Sequence, residues 1–244
     1  MKITKNHFVF LTVLALTIAG ILAFSKQQKN RDKHFVSYIV NPKKQDLKFY
    51  WKNEKQENFK SIGNLKNDLE SKNKQLLFAM NGGMYQKDGS PQGLYIEKFK
   101  TWANLDNGNG DGNFYLKPNG VFFITKNEEA IISITENFKF SKNIKYATQS
   151  GPMLVTNGKI HPEFKEGSVN LNIRNGVGIL PDNTILFAMS KEPINFYDFA
   201  VFFKSKGCKN ALYLDGLVSR TYFPEENWVQ KDGDFGVIIG VTSK

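Results

Sequence analysis

The chain has 244 residues, 41% hydrophobic and 14% aromatic, so it can bury a substantial core and global disorder is excluded. Its single cysteine, Cys208, excludes an intrachain disulfide and any zinc site that needs two or more cysteines. The net charge of +10 sits in the first third: residues 1–75 carry 15 Lys or Arg against 6 Asp or Glu, whereas residues 76–244 carry 18 against 17. We therefore expect no nucleic-acid partner for the near-neutral body. The basic third fits either a surface near anionic lipid or polymer, or a solvated lysine-rich surface.

Residues 8–24 are uninterruptedly apolar or small. As a helix they would reach about 25 Å at ~1.5 Å per residue, slightly short of a bilayer core. This predicts a signal peptide or membrane anchor within residues 1–24, and the lack of a small-x-small cleavage motif favours an anchor. Residues 25–34 are predicted to be a linker and residues 35–244 an exported domain on the periplasmic or extracellular face.

The body alternates β-prone runs with two helical patterns. Residues 35–52 predict two strands around an Asn-Pro turn, and residues 58–73 predict an amphipathic helix. A second helix is predicted over 195–206, with Asn195 as its cap and Gly207 as its stop. Further strands are predicted at residues 75–80, 93–97, 120–124, 130–134, 145–155, 172–180, 184–190, 211–214 and 234–241.

Six Asn-Gly dipeptides favour a meander of hairpins. The Asn- and Asp-rich residues 104–113 lack the glutamate that completes a calcium loop, so we interpret them as turns, with no metal or cofactor. The predicted fold class is α+β: a single domain with a strongly twisted, largely antiparallel β core and a few packed helices.

Four polar corners are the candidate site residues, because each follows or interrupts a β-prone run. They are Asn81-Gly82-Gly83-Met84-Tyr85, Gln149-Ser150-Gly151-Pro152, Arg174-Asn175-Gly176-Val177-Gly178 and Leu214-Asp215-Gly216-Leu217-Val218-Ser219. Glycine corners expose N–H groups that can hold an anionic oxygen, and an arginine can offer a bidentate fork. Taken singly, the Asn81 and Asp215 corners are also typical of tight turns, and the Asp-Gly dipeptide favours a turn. The Pro152 corner must bend or form an edge and is equally typical of a kinked edge strand, and Arg174 is also typical of a solvated surface arginine.

In this order and at these separations, the four corners resemble the phosphodiester glycosidase family, which includes the mannose 6-phosphate uncovering enzyme and bacterial exported proteins. The resemblance covers roughly residues 35–244. Two departures stand out: Leu217 occupies a position where the family usually has a second glycine, and Asn175 and Val177 replace small residues that follow the arginine.

The resemblance implies hydrolysis of the glycosidic bond of a sugar-1-phosphodiester in the cell envelope. Asp215 would act as nucleophile or base, Arg174 would bind phosphate, and Glu192 is a candidate second carboxylate. The residues implied in substrate binding are Asn81, Gly82, Gly83, Gln149, Ser150, Gly151, Gly216 and Ser219. The alternative is a non-catalytic module on the same fold that binds an anionic glycan, since fold does not fix function.

Overall fold

The structure is a computed structural model that describes residues 32–215 and 218–243. The predicted anchor at residues 8–24 and most of the predicted linker lie outside the described residues. Within the described ranges, no helix is long and apolar enough to cross a membrane.

The described chain contains sixteen strands, two α-helices and three 3-10 turns. The strands are β1 (Phe35–Val40), β2 (Asp46–Tyr50), β3 (Leu76–Asn81), β4 (Tyr95–Glu97), β5 (Lys100–Ala103), β6 (Gly120–Thr125), β7 (Ala130–Ile134), β8 (Ile144–Ser150), β9 (Met153–Thr156), β10 (Lys159–Ile160), β11 (Asn175–Ile179), β12 (Ile185–Ser190), β13 (Ala211–Asp215), β14 (Thr221–Phe223), β15 (Trp228–Val229) and β16 (Ile238–Thr242). The helices are α1 (Ile62–Ser71) and α2 (Phe196–Ser205), and the 3-10 turns are Asn113–Tyr115, Thr135–Asn137 and Pro224–Glu226.

These strands form three sheets. The first has the order β1-β12-β11-β13-β9-β10, the second β15-β14-β3-β16-β2 and the third β5-β4-β8-β6-β7. Pairing is antiparallel throughout the second and third sheets and among β9 to β13 in the first. The prediction of an α+β, largely antiparallel domain is confirmed.

One hydrophobic cluster takes side chains from all three sheets. Phe78 comes from the second sheet, Phe122 from the third and Phe187 from the first, and each is at most 1% exposed. The Phe187 ring lies 5.7 Å from that of Phe78 and 5.9 Å from that of Phe122. Each buried Phe contributes roughly 2–3 kcal/mol of transfer free energy, so this contact fixes how the sheets meet.

Helix α1 is shorter than predicted because its N-terminus is set by Ser61. The Ser61 hydroxyl accepts from the Asn64 N–H at 3.1 Å, whereas the N–H of Phe59 is bonded to the Trp51 carbonyl outside the helix. Helix α2 follows the prediction: Asn195 Oδ1 accepts from the Asp198 N–H at 2.8 Å, and Gly207 has a φ of 85° beyond the C-terminus.

The Asn-Gly dipeptides mark hairpins less often than predicted. Asn157-Gly158 forms the two-residue turn between β9 and β10, with φ values of 50° and 78°. Asn175-Gly176 instead lies inside β11. There the buried asparagine side chain bonds to another strand, which makes it a packing residue rather than a turn residue.

The predicted strand over residues 145–155 is divided in two at Gly151-Pro152, where the chain bends and does not form a kinked edge strand. Strand β8 lies between β4 and β6 in the third sheet, and β9 lies between β13 and β10 in the first. The chain therefore leaves one sheet for another at Gly151-Pro152, and neither flanking strand is an edge strand.

His161 ties the end of β10 to the loop before β6. Its Nδ1 accepts from the Glu163 N–H, so its Nε2–H donates to the Lys117 carbonyl at 3.0 Å. Burial lowers the pKa of the His161 imidazole below its ordinary value of 6.5.

We predict that His161 weakens the fold as the pH falls below about 6.5, because the unfolded chain then binds a proton that the folded imidazole resists. Urea unfolding at pH 7.5 and 5.5 should show a larger loss of unfolding free energy for the wild type than for His161→Gln. Equal losses in the two proteins would contradict this linkage.

Candidate functional site

Strand ends from all three sheets place polar side chains around Asp215. Asn81 ends β3 in the second sheet, Asn175 begins β11 in the first, and Asp215 ends β13 beside it. Ser150 ends β8 in the third sheet, and its hydroxyl donates to the Leu214 carbonyl at 2.7 Å. All four corners predicted from sequence therefore contribute a residue at the end of β13.

A buried amide network holds the carboxylate. Asn175 Nδ2 donates to the carbonyl and to Oδ1 of Asn81, both at 2.9 Å, and Asn175 Oδ1 accepts from the Asp215 N–H at 2.8 Å. Asn81 Nδ2 lies 3.4 Å from Asp215 Oδ2. Since Asn81 Oδ1 also accepts from the Arg220 N–H at 2.9 Å, both asparagine side chains have a fixed orientation.

Local backbone geometry directs Asp215 into this network. Asn175 pairs with Asp215 while Gly176 pairs with Tyr213, so β13 carries a bulge at Leu214. A bulge changes the face to which the following side chain points. The Ser219 hydroxyl donates to the Asp215 carbonyl at 2.6 Å. Gly216 lies outside the described residues.

The Asp215 carboxylate opens into a pocket of about 300 Å³. We call it the Asp215 pocket. It is lined by Met84, Tyr85, Gln86, Lys87, Gln92 and Asp215. Among these described residues Asp215 is the one acid, and it is 7% exposed. The pocket therefore combines a carboxylate with amide, phenol and ammonium groups, a set that can bind a hydroxylated ligand and act on it.

Tyr85 lies near two carboxylates. Partial burial raises the pKa of its phenol, and the negative charges of Asp215 and Asp234 raise it further. Tyr85 thus keeps its proton at neutral pH and can donate a hydrogen bond to a ligand oxygen.

Arg174 is held away from solvent. Its guanidinium lies 3.6 Å from the centre of the Phe196 ring and is 1% exposed. Nε donates to the Ile194 carbonyl at 2.8 Å and Nη2 to the Asn170 carbonyl at 3.0 Å, while Nη1 lies 3.4 Å from the Tyr213 hydroxyl. Burial lowers the pKa of this guanidinium from its usual value. Contact with a phosphate would require these partners to be displaced.

The remaining predicted binding residues support the backbone. Gln149 is fully buried, and its Oε1 accepts from the N–H groups of Leu94 and Asp106. The Gly82 N–H donates to the Val237 carbonyl at 2.8 Å. A Cβ on Gly82 would lie 2.5 Å from a side-chain carbon of Ile239, so its glycine allows close packing of β3 on β16.

Three further positions complete the predicted set. A Cβ on Gly83 would lie 2.5 Å from Thr148 Oγ1, and one on Gly151 would lie 2.7 Å from the Phe114 carbonyl oxygen. Glu192 is exposed in the turn after β12 and does not line the Asp215 pocket. No group of three or more His, Cys, Asp or Glu suited to a metal occurs within residues 32–215 and 218–243.

Sequence reasoning missed the central role of Asn175 and the pocket residues Lys87 and Gln92. Asn175 stands in one of the four predicted corners, but the sequence indicates no role for it beyond a departure from the family's small residue. The signal that could have found it is its place directly after Arg174, at the same strand end as Asp215.

Comparison with known proteins identifies a matching family and a related bacterial protein. The family model described as phosphodiester glycosidase matches residues 74–240. The chain belongs to the phosphodiester glycosidase family. Over 215 residues it is also 36% identical to an uncharacterized protein, YigE, of Escherichia coli (strain K12), covering 88% of this chain and 84% of that protein.

Solved structures share the phosphodiester glycosidase fold. One is the catalytic domain of zebrafish N-acetylglucosamine-1-phosphodiester alpha-N-acetylglucosaminidase, with a TM-score of 0.58, 13% identity, and coverage of 86% of this chain and 82% of that one. Another is a hypothetical protein from Synechocystis, with a TM-score of 0.52, 11% identity, and coverage of 86% and 59%. At these identities the likeness shows the fold alone.

We predict that Asn175→Ala destabilises the protein by about 3 kcal/mol, because buried polar atoms of Asn81 and Asp215 lose their partners. Urea unfolding measures this loss. The matched control is Asn127→Ala, which removes the same group at an exposed position and should change stability by less than about 0.5 kcal/mol. Equal effects of the two substitutions would contradict the network's role.

We predict that Arg174→Met costs about 2–4 kcal/mol of stability, because the carbonyls of Ile194 and Asn170 lose a buried donor. Arg220→Met is the control, since Arg220 forms an exposed ion pair with Asp232 and such pairs contribute about 1 kcal/mol or less. An Arg174→Met protein as stable as the wild type would show that Arg174 has no structural role.

Proposed function

We propose that the protein is a hydrolase that cleaves the glycosidic bond of a sugar-1-phosphodiester. The observation that carries this proposal is the position of Asp215: a carboxylate fixed by two asparagines at a small pocket that also holds amide, phenol and ammonium groups. Membership of the phosphodiester glycosidase family supports the reaction class.

The leaving group fits a site of this composition. When the bond between the anomeric carbon and the phosphate oxygen breaks, the electron pair stays on that oxygen and yields a phosphate monoester anion. Such an anion is stable at neutral pH, so the site needs less help from a general acid than an ordinary glycosidase does. One carboxylate among the described pocket residues is enough for this chemistry.

Asp215 would act as a general base. It removes a proton from water as the water oxygen attacks the anomeric carbon, and the products are a free sugar and the phosphate monoester. Asn81 Nδ2, which lies 3.4 Å from the carboxylate, keeps one oxygen oriented while the other faces the ligand.

Lys87 is the candidate contact for the phosphate, because it is exposed and lines the Asp215 pocket. Tyr85 and Gln92 would hydrogen-bond the sugar hydroxyls. Arg174 would act as a positioning residue by holding Tyr213 and the loop around Asn170 beside the end of β13.

We place this activity in the cell envelope. The support is the apolar segment of residues 8–24, which is suited to export or anchoring ahead of the folded domain. Fractionation of cells that produce the full chain should recover it with the membranes or outside the cytoplasm.

The central test is hydrolysis of a panel of hexose and N-acetylhexosamine 1-phosphodiesters. We predict that Asp215→Asn lowers kcat about 10²–10⁴-fold, the contribution typical of a general base, with an unchanged circular dichroism spectrum. The matched control, Asp111→Asn, changes an exposed carboxylate in another loop and should retain full activity.

The anomeric configuration of the product tests whether Asp215 acts as a general base. Direct attack by water inverts the anomeric carbon, so proton NMR of the first-formed sugar should show the opposite anomer from the substrate. Retention would overturn the base role and indicate that Asp215 is a nucleophile, while leaving the hydrolase proposal in place.

A second candidate function is a non-catalytic module that binds an anionic glycan. The burial of Arg174 favours it, because the cation expected to contact phosphate is 1% exposed. Binding of the panel without turnover, unchanged by Asp215→Asn, would support the module and overturn the hydrolase.

A further inference from the structure

A second and larger pocket lies away from the Asp215 pocket. It has a volume of about 480 Å³ and shares no lining residue with the Asp215 pocket. Its walls come from the end of β2, from α1 and from the β4–β5 hairpin. We call it the tryptophan pocket, after Trp51 and Trp102 in its lining.

The lining of the tryptophan pocket is rich in lysine. The lysines are Lys48, Lys52, Lys72, Lys74, Lys98 and Lys100, against the carboxylates Glu54, Asp68 and Glu97. The structure pairs four of these lysines with carboxylates. For Lys52 and Lys100 it shows no ion pair within the described residues.

Lys52 and Lys100 are placed by aromatic rings instead. The Lys52 ammonium lies 4.2 Å from the centre of the Trp51 ring, and the Lys100 ammonium lies 3.6 Å from that of Trp102. The two rings meet edge-to-face at 5.9 Å, and Trp51 Nε1 donates to the Gly89 carbonyl at 2.9 Å. A cation held over a ring face keeps its N–H donors available, so this pair is preorganised for an anion.

A third observation also points to a ligand. Tyr50 lines the tryptophan pocket and is 9% exposed, yet its hydroxyl has no hydrogen-bond partner among the described residues. The carboxylates whose charges act on this hydroxyl include Glu97 and Asp68, both in the pocket lining. Buried hydroxyls are almost always bonded, so an unbonded one beside a pocket calls for a partner.

We propose that the tryptophan pocket is an accessory binding site for an acidic saccharide, a sugar chain that carries carboxylate groups. Lys52 and Lys100 would bind the acidic groups. Glu97 would hydrogen-bond ring hydroxyls, and the buried Tyr50 hydroxyl would do so after a shift of the lining side chains. A ligand with charge but no hydroxyl groups fits less well, because it offers no hydrogen-bond donor to the Glu97 carboxylate.

The site is independent of the chemistry at Asp215. It shares no lining residue with the Asp215 pocket, and binding there requires no bond to break. The test therefore uses the full chain carrying Asp215→Asn, so that loss of the proposed hydrolase activity cannot be mistaken for loss of binding.

The probe is trigalacturonate, titrated by calorimetry at fixed salt, with neutral maltotriose for comparison. We predict that trigalacturonate binds at least tenfold more tightly than maltotriose, and that Lys52→Gln with Lys100→Gln lowers its affinity at least tenfold. The matched double variant, Lys139→Gln with Lys142→Gln, removes the same charge at exposed positions and should bind as before. Equal loss in both double variants would overturn the site.

Tyr50→Phe separates binding from folding. Because the hydroxyl has no hydrogen-bond partner among the residues that the structure describes, its removal should leave the melting temperature unchanged or raised, while trigalacturonate affinity falls several-fold. A lowered melting temperature with unchanged affinity would overturn the role of the hydroxyl. Tripolyphosphate binding as tight as that of trigalacturonate would show a simple charge site and overturn the saccharide proposal.

Discussion

The buried amide network between two sheets is the constraint on which the candidate site depends. Asn81 belongs to the second sheet, while Asn175 and Asp215 belong to the first, so their hydrogen bonds form only if the sheets meet at the correct distance. That distance is set by the contact between Phe78 and Phe187 in the common core. The position of the carboxylate is therefore a consequence of aromatic packing, and changes in the core should affect the site through this geometry.

Two cationic side chains near the site, Arg174 and Lys87, differ in burial and therefore in role. Burying a charge is unfavourable unless hydrogen bonds and polarisable groups compensate. Arg174 receives this compensation from backbone carbonyls and from the ring of Phe196, which makes it part of the scaffold. Lys87 remains exposed at the Asp215 pocket, where it can contact a charged ligand without first being uncovered. The division of roles follows from burial, which the residue type alone does not reveal.

Sequence patterns predicted elements better than side-chain environments. The cap at Asn195 and the stop at Gly207 are local signals, and α2 begins and ends accordingly. The identity of Asn175 as a network residue was not predictable, because it depends on the pairing of β11 with β13 and on a bulge at Leu214. For the same reason an Asn-Gly dipeptide read as a hairpin turn proved to lie within a strand. Strand register and contacts between sheets are non-local, so propensity cannot supply them.

The tryptophan pocket shows the same limit for a binding site. Its residues come from β2, α1 and the β4–β5 hairpin, and none of these segments carries a motif in sequence. Trp51 also holds Gly89, in the hairpin that presents Lys87 to the Asp215 pocket. The hairpin is thus held on one side by Trp51, and its other side carries Lys87 at the Asp215 pocket. Because the Tyr50 hydroxyl is buried without a partner among the described residues, a phenylalanine there would fold at least as well. A tyrosine whose hydroxyl gains no hydrogen bond within the described residues, at a lysine-rich pocket, is explained by what we propose that the pocket binds.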